Sequence, residues 1–295
     1  MKKMGPLHTI KEQIVDKSVT SVRVNWIAGD VKILKSSDHS IHIEQSATND
    51  LPEKNRFTSS IENGTLIIKD NSEANWRFFF SESTNLNLYC PDQYFDSVSL
   101  SCTSGSISGE NLQAKSLDVG STSADLAVSG KFETVSLKSV SGAITGENLK
   151  ANSLSAKTTS GDINLSGAVD SVTFSSTSGK INGENLQTKS LDAGSTSGDM
   201  NVTGTFDTLS LKSVSGKMNA FCNQMPKTIV SASTSGDVSL NLPQNDGFTV
   251  SFHSTSGKLR SDFALQQNDE ERVYKNGSGK IKVQTVSGGL TLHQD

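Results

Sequence analysis

Through the last two-thirds of the chain, apolar residues alternate with small polar ones in short bursts: Leu117-x-Val119, Val135-x-Leu137, Leu154-x-Ala156, Val172-x-Phe174, Leu191-x-Ala193 and Leu209-x-Leu211. A period of two puts such residues on one face of a strand. Each burst runs into a Ser-Gly step. After it a second burst opens on Ile107, Leu126, Ile144, Ile163, Ile181, Met200, Met218 or Val238. The parity does not carry through, because Leu117, Val119, Ser121 and Ser123 share one face while the next apolar residue is Leu126. A bend or bulge is therefore expected at Ser-Gly, with glycine supplying the backbone dihedrals it needs. A third apolar position, Leu112, Phe132, Leu149, Val169, Leu186 and Phe206, follows segments that read as turns, such as Gly109-Glu110-Asn111 and Ser129-Gly130-Lys131. No helical period of 3.6 occurs in this region, which excludes helix-rich repeats.

The bursts recur at fixed spacing. The Ser-Gly step or its variant falls at Ser104, Ser123, Ser141, Ser160, Ser178, Ser197, Ser215, Ser235 and Ser256, so successive differences in position are 19, 18, 19, 18, 19, 18, 20 and 21. The alternation of 19 with 18 makes a pair of rungs the true unit. Ser108 to Asp118 recurs almost unchanged as Asn182 to Asp192, a duplication of two such pairs. A β-propeller blade, at about 40–45 residues in four strands, is the architectural rival. Like residues at like positions in every rung favour a solenoid, in which like stacks on like at about 4.8 Å. The residue after Ser-Gly points the same way: Asp162, Lys180, Asp199, Lys217, Asp237 and Lys258 alternate in sign. Stacked, they form a surface ladder that sets register by placing opposite charges on adjacent rungs. A calcium-binding row is the weaker reading, since lysine beside aspartate repels the ion and no Gly-Gly-x-Gly-x-Asp motif is present. The expected fold is all-β, a single-chain β-solenoid, or β-helix, taken as right-handed.

The ends are less regular. Residues 1–90 lack the rhythm but contain strand patterns, including Val22 to Trp26, Gly29 to Ile33, Ile41 to Ile43, Thr65 to Lys69 and Leu86 to Tyr89, with a hairpin signal at Asn63-Gly64. This segment is expected to cap the solenoid of residues 91–295, whose own C-terminal cap begins near residue 260 and includes the polar insertion Gln266 to Arg272. Trp76, Phe78, Phe79 and Phe80 form the most aromatic cluster, read either as cap core or as a patch for a partner.

Composition narrows the function. Hydrophobic residues reach only 33% and aromatic ones 6%, which without the periodic pattern would suggest disorder. A net charge of −4 offers no basic field for nucleic acid. Three cysteines, Cys90, Cys102 and Cys222, have neither CxxC spacing nor an even count, so they read as buried thiols. Met1-Lys2-Lys3-Met4 is followed by no apolar stretch of a secretory signal, and no segment approaches the about 20 apolar residues of a membrane span. By sequence the chain reads as cytoplasmic, with no membrane insertion. The five histidines fit no metal motif, and His42, between Ile41 and Ile43, should face away from both. No Gly-x-Ser-x-Gly elbow is present. The acidic residues Glu110, Glu147 and Glu184 recur with the repeat, as turn residues do, and do not break it as a catalytic cluster would. No catalytic residue, metal or cofactor is expected.

Gly29-Asp30-Val31, then Leu86-Asn87-Leu88-Tyr89-Cys90-Pro91 leading into Val98 to Gly105, then serial Thr-Ser-Gly-Asp-Ile rungs, resemble the bacterial putative-adhesin family, a domain of unknown function with β-strand repeats. The resemblance covers nearly the whole chain. It implies an all-β solenoid and a role in adhesion or envelope stress, with cell-surface association and no catalytic residues to carry over. The expected function is a non-catalytic, adhesin-like interaction scaffold for a protein or glycan. A carbohydrate-active β-helix enzyme and a self-assembling bactofilin-like filament stand as alternatives.

Overall fold

The computed structural model describes residues 6–71 and 84–295, and the aromatic cluster Trp76, Phe78, Phe79 and Phe80 lies outside them. The chain divides into two compact units, Met1–Gly146 and Glu147–Asp295. Each is a β-solenoid stack. Parallel pairing between successive rungs rules out the antiparallel blades of a propeller.

The second unit shows why rungs come in unequal pairs. Strands β10 (Ile163–Ser176), β11 (Ile181–Ser195) and β12 (Met200–Ser213) lie in parallel register. Ile163 pairs Ile181, but by Val172, which pairs Leu191, the offset between the strands has grown by one position. The extra residue sits in Gly183-Glu184-Asn185, between Ile181 and Leu186, and β12 is shorter there again by one. The segment expected to be a turn is thus a bulge inside a continuous strand. Asn185 takes the left-handed conformation with φ 50°, which asparagine tolerates better than most residues. Its N–H turns out of the ladder and donates to Thr203 Oγ1 on the next rung at 2.9 Å. Asn148 (φ 52°) donates in the same way to Ser166 Oγ. Gly204 faces the bulge, and a Cβ there would come within 2.8 Å of the Leu186 carbonyl carbon. Odd rungs therefore need Asn in a bulge and even rungs need Gly opposite it.

Except at Ser104-Gly105, which lies within one strand running Phe95–Ser121, the Ser-Gly step does break the strands, but not for the expected reason. Among the described Ser-Gly glycines of the rung corners only Gly105 has a positive φ, 114°. Gly142, Gly179, Gly198, Gly216 and Gly236 each stack directly on a backbone carbonyl of the rung before, leaving no room for a side chain. Serine locks the corner: Ser178 N–H donates to Thr159 O, Ser197 to Thr177 O and Ser215 to Thr196 O, at 2.9–3.0 Å.

Between the two limbs of each rung lies the core. Ile163, Ile181, Met200, Met218 and Val238 stack in one column, and Val172, Leu191, Leu209 and Ile229 in another, all at most 2% exposed. Bulk alternates down the stack, so fully buried Phe174 is followed by Ala193 and then Leu211.

The last rungs of this unit are out of chain order. Strands β13 (Met218–Cys222), β14 (Thr228–Ser233), β15 (Val238–Leu242), β16 (Gly247–His253) and β17 (Leu259–Ser261) continue the coil. Strand β20 (Gly279–Gln284) then inserts between β14 and β16, and β21 (Leu290–Gln294) between β15 and β17. The intervening hairpin, β18 (Gln266–Asn268) and β19 (Glu271–Lys275), lays β19 antiparallel on β16. Phe248, Phe263 and Tyr274 close that end with ring centroids 4.9–5.4 Å apart.

The first unit does the same at its own end. Strand β2 (Ser21–Lys35) pairs in parallel with β7 (Phe95–Ser121) across Ser21–Ile33 and Ser97–Gly109. On its other edge β2 takes β5 (Thr65–Lys69) and β6 (Thr84–Cys90), so later residues form the earlier rung. Antiparallel strands cover that rung: β4 (Thr58–Glu62) on β5, and β3 (Ile41–Ala47) then β1 (His8–Val15) on β6. Beyond β7, which has the same bulge at Asn111, φ 54°, come β8 (Asp125–Lys138) and then β9 (Ile144–Lys157).

Candidate binding surface

The charged positions singled out from the sequence lie on the rung corners, where the carboxylates reach main chain. Asp162 Oδ1 accepts the N–H of Lys180 at 2.8 Å, and Asp199 Oδ1 that of Lys217 at 2.9 Å. Asp237 Oδ1 accepts the N–H of Gly289 at 2.8 Å, because inserted β21 separates it from Lys258. The inter-rung ion pairs of this unit fall elsewhere, at Lys189–Asp170, Lys212–Asp192 and Lys227–Asp207, 3.0, 3.6 and 3.3 Å. Next to the corner, Asn164, Asn182, Asn201 and Asn219 form an amide ladder with links of 2.8, 3.2 and 2.9 Å. These features face outward, but the carboxylates and amides bond within the stack, so they describe how rungs hold together.

A different kind of surface covers the first unit. Strands β1, β3, β6 and β2 lie side by side, and their inward residues, among them Val15, Ile43, Leu88 and Ile33, are at most 6% exposed. On the opposite face Ile14, His42, Tyr89 and Leu34 stand directly across from one another in one row, which spans about 14 Å at strand spacing. As expected, His42 faces away from buried Ile41 and Ile43. Ile14 is 59% exposed and Leu34 38%, unusual for large aliphatic residues in regular strands. The next row reads Glu12, Glu44, Asn87, Lys32.

Two carboxylates thus face each other across β1 and β3, an unfavourable arrangement. Glu44 is the better satisfied: Thr9 Oγ1 donates at 2.6 Å, Tyr89 OH at 3.1 Å and Asn87 Nδ2 at 3.3 Å. These donors, the Thr9 hydroxyl foremost, hold its carboxyl below the usual range. Partial burial, then the Glu44 charge, pushes the Tyr89 phenol up. Glu12 has no hydrogen-bond or ion-pair partner among the described residues. Beside the rows Asp38 accepts from His42 Nε2 at 2.9 Å, from the Ser40 N–H and from Ser36 Oγ, and these bonds lower its carboxyl to about 2. A pocket of about 270 Å³ opens between Glu12, Ile14, His42, Glu44 and Tyr89. A second cleft, about 410 Å³ over Phe95, Cys90 and Leu112, carries the Lys35–Asp92 pair at 2.9 Å and Glu110 on its rim.

None of this assembles a nucleophile with a base. Burial pushes the Cys90 and Cys222 thiols up to about 12. Ser36 bonds the aspartate of the His42 dyad and not its imidazole.

A family model described as Toastrack DUF4097 matches residues 19–167 and again 129–293. The chain belongs to the Toastrack DUF4097 family. Its two overlapping matches span both solenoid units. No curated protein matches it. Among solved structures it is similar to a putative lipid binding protein from Parabacteroides distasonis ATCC 8503, with a TM-score of 0.50, 14% identity and 96% of each chain covered. It is also similar to a putative adhesin from the same strain (TM-score 0.49, 12% identity, 97% of each chain). A third is a putative adhesin from Bacteroides fragilis NCTC 9343 (TM-score 0.44, 14% identity, 98% of this chain and 97% of that one). At 14% identity the likeness to the first of these concerns the fold alone. No helix among the described residues is long and apolar enough to cross a membrane.

Sequence reading missed the Ile14, His42, Tyr89, Leu34 row. A signal existed: Ile14 and Leu34 each occupy the polar parity of their strand, next to Val15 and Ile33 on the apolar one.

Proposed function

We propose that this Toastrack protein is a non-catalytic, adhesin-like interaction scaffold of the bacterial cell envelope, and that the outer face of β1, β3, β6 and β2 is its binding surface. The observation that carries the reading is the exposed Ile14, His42, Tyr89, Leu34 row on a regular sheet, beside a carboxylate without a partner among the described residues. Exposed apolar and aromatic groups on a rigid frame bind with little loss of conformational freedom. The partner is an envelope protein or glycan.

The test is co-sedimentation of the purified chain with isolated bacterial envelopes. Replacing Ile14 and Tyr89 together by Ser should reduce retention about tenfold, the effect of losing two interface anchors of modest size. Because both side chains point outward, the variant should stay folded, with a small drop in thermal midpoint from the lost Tyr89–Glu44 bond. Equal retention of the two proteins would overturn the assignment of the surface.

A further inference from the structure

Among the described strands, β1 ends the sheet. Residues 8–15 pair with β3 on one side only, and no main-chain hydrogen bond links them to another described strand. After a register shift between Thr9 and Lys11 the pairing is regular, from Lys11 with Gln45 to Val15 with Ile41. The usual defences of an open edge are a proline, a further bulge or an inward-pointing charge left to repel a neighbour. Residues 11–15 contain no proline. The one inward lysine, Lys11, is engaged by Phe57 O at 3.1 Å, by Glu53 at 3.3 Å and by the Phe57 ring.

The outward side chains of this edge carry a specific demand. Glu12 opposes Glu44 with no cation between them, and Ile14, two residues on, is 59% exposed. Lys32 lies in the same row as Glu44, but beyond Asn87. The other ionisable groups nearby are engaged: His42 by Asp38, Tyr89 by Glu44, Asp16 by Ser40 Oγ, and Arg56 by the Ile10 carbonyl and Glu53. An extra strand beside β1 would extend both rows by one residue, setting one side chain next to Glu12 and another, two positions along, next to Ile14.

We propose that the open edge of β1 accepts an extended basic peptide segment as an added strand, with a Lys or Arg side chain against Glu12 and Glu44 and an apolar side chain on Ile14. The inference rests on the reading of this face as the binding surface and names its ligand. Main-chain bonds supply affinity and the alternating side chains supply selectivity, as in other strand additions. The like-charged pair selects for a cation, and the edge selects for an extended backbone.

The experiment uses the full chain and a labelled peptide, Thr-Lys-Thr-Val-Thr-Lys-Thr, followed by fluorescence anisotropy and by amide hydrogen exchange. The peptide should bind and slow exchange within residues 11–15. Glu12→Lys should weaken binding at least tenfold while leaving the circular dichroism unchanged and the thermal midpoint no lower, since it relieves the repulsion from Glu44, and Ile14→Glu should weaken binding as much with the circular dichroism unchanged. A peptide with Glu in place of Lys should not bind. Methylating alternate peptide nitrogens should abolish binding, since it removes the donors that pair with the edge. Equal binding of the methylated peptide would overturn strand addition, and equal binding by Glu12→Lys would overturn charge recognition. A concentration-dependent dimer that protects residues 11–15 would assign the edge to a second copy and also overturn the inference. If no peptide binds while envelope retention still depends on Ile14 and Tyr89, the inference falls and the scaffold reading stands. If retention is insensitive as well, both fall.

Discussion

Replacing Gly198 by Ala tests the corner that defines the fold. Built on the backbone, the new Cβ lies 2.7 Å from the carbonyl carbon of Gly179 on the rung before, nearer still to its oxygen, and 3.1 Å from Ser178 O. Carbon atoms rest about 3.5–4.0 Å apart, so the two rungs must separate locally by about 1 Å. Two bonds flank the contact, Ser197 N–H to Thr177 O and Ile181 N–H to Asp199 O, both 2.9 Å. Stretched by about 1 Å they no longer qualify as hydrogen bonds. Leaving two such pairs unmade costs about 1–3 kcal/mol each, so the substitution should destabilise by about 2–6 kcal/mol. Gly194→Ala is the control. It lies in the same rung, its added Cβ would find Lys212 O only at 4.0 Å, and its φ is not positive. There alanine should be neutral or stabilise by about 0.4–1 kcal/mol, through the unfolded chain. Urea unfolding followed by circular dichroism gives both values, with equal slopes confirming that the same surface unfolds. If the two variants lie within about 1 kcal/mol of each other, the close stacking of glycine on carbonyl is not what Ser-Gly is for.

Three further outcomes follow from the geometry. Asn185→Ala should cost about 1–2 kcal/mol because alanine resists the left-handed φ of 50°, whereas Asn185→Gly should change urea stability by less than half as much. Asp199→Ala removes the acceptor of the Lys217 N–H and should cost about 1 kcal/mol, while Lys217→Met keeps that N–H and should be neutral; equal losses would make the ladder an ion-pair device after all. Asp38 should titrate by carbon NMR at about 2, and His42→Ala should raise that midpoint. With the folded value depressed, the unfolded chain takes the proton first on acidification, so this group's contribution is present above about pH 4 and lost as pH falls towards 2. An ordinary midpoint in the wild-type chain would contradict the bonds to Asp38.

The rung was legible because a stack repeats its demands. Every corner but that of Ala124 puts a glycine under a carbonyl, and every second rung needs an asparagine that can turn left, so both surface as a written period. What the glycine does was not legible, since φ and close approach leave the same letter in a sequence. The sign alternation from Asp162 to Lys258 was visible too. That the carboxylates bond main chain depends on where the next N–H points, which only coordinates reveal. The Ile14 and Leu34 anomaly could be read in each strand, but the row they form with His42 and Tyr89 depends on the spatial order β1, β3, β6, β2. Nothing local in those strands encodes that order. The same holds for Gly279 to Gln284, which read as one more rung in sequence and in fact enters between two earlier ones.

That insertion changes what the end of the chain does. In a coil stacked strictly in order, the last strand has one neighbour and frays first. Here Leu290–Gln294 has β15 on one side and β17 on the other, and Leu290 and Leu292 are fully buried. Deleting residues 290–294 therefore opens a gap within the stack and strips two leucines from the core, at about 2–5 kcal/mol each by the usual cost of emptying such sites. It also leaves β17 with no strand to pair, since β21 is its only partner among the described strands. The outer segment, residues 244–278, should consequently become susceptible to limited proteolysis in the truncated chain, while β10 to β12 stay protected. An ordinary terminal strand would lose its own contacts and leave its neighbours intact. If residues 244–278 resist protease equally with and without 290–294, the inserted rung is not what holds that end of the solenoid closed.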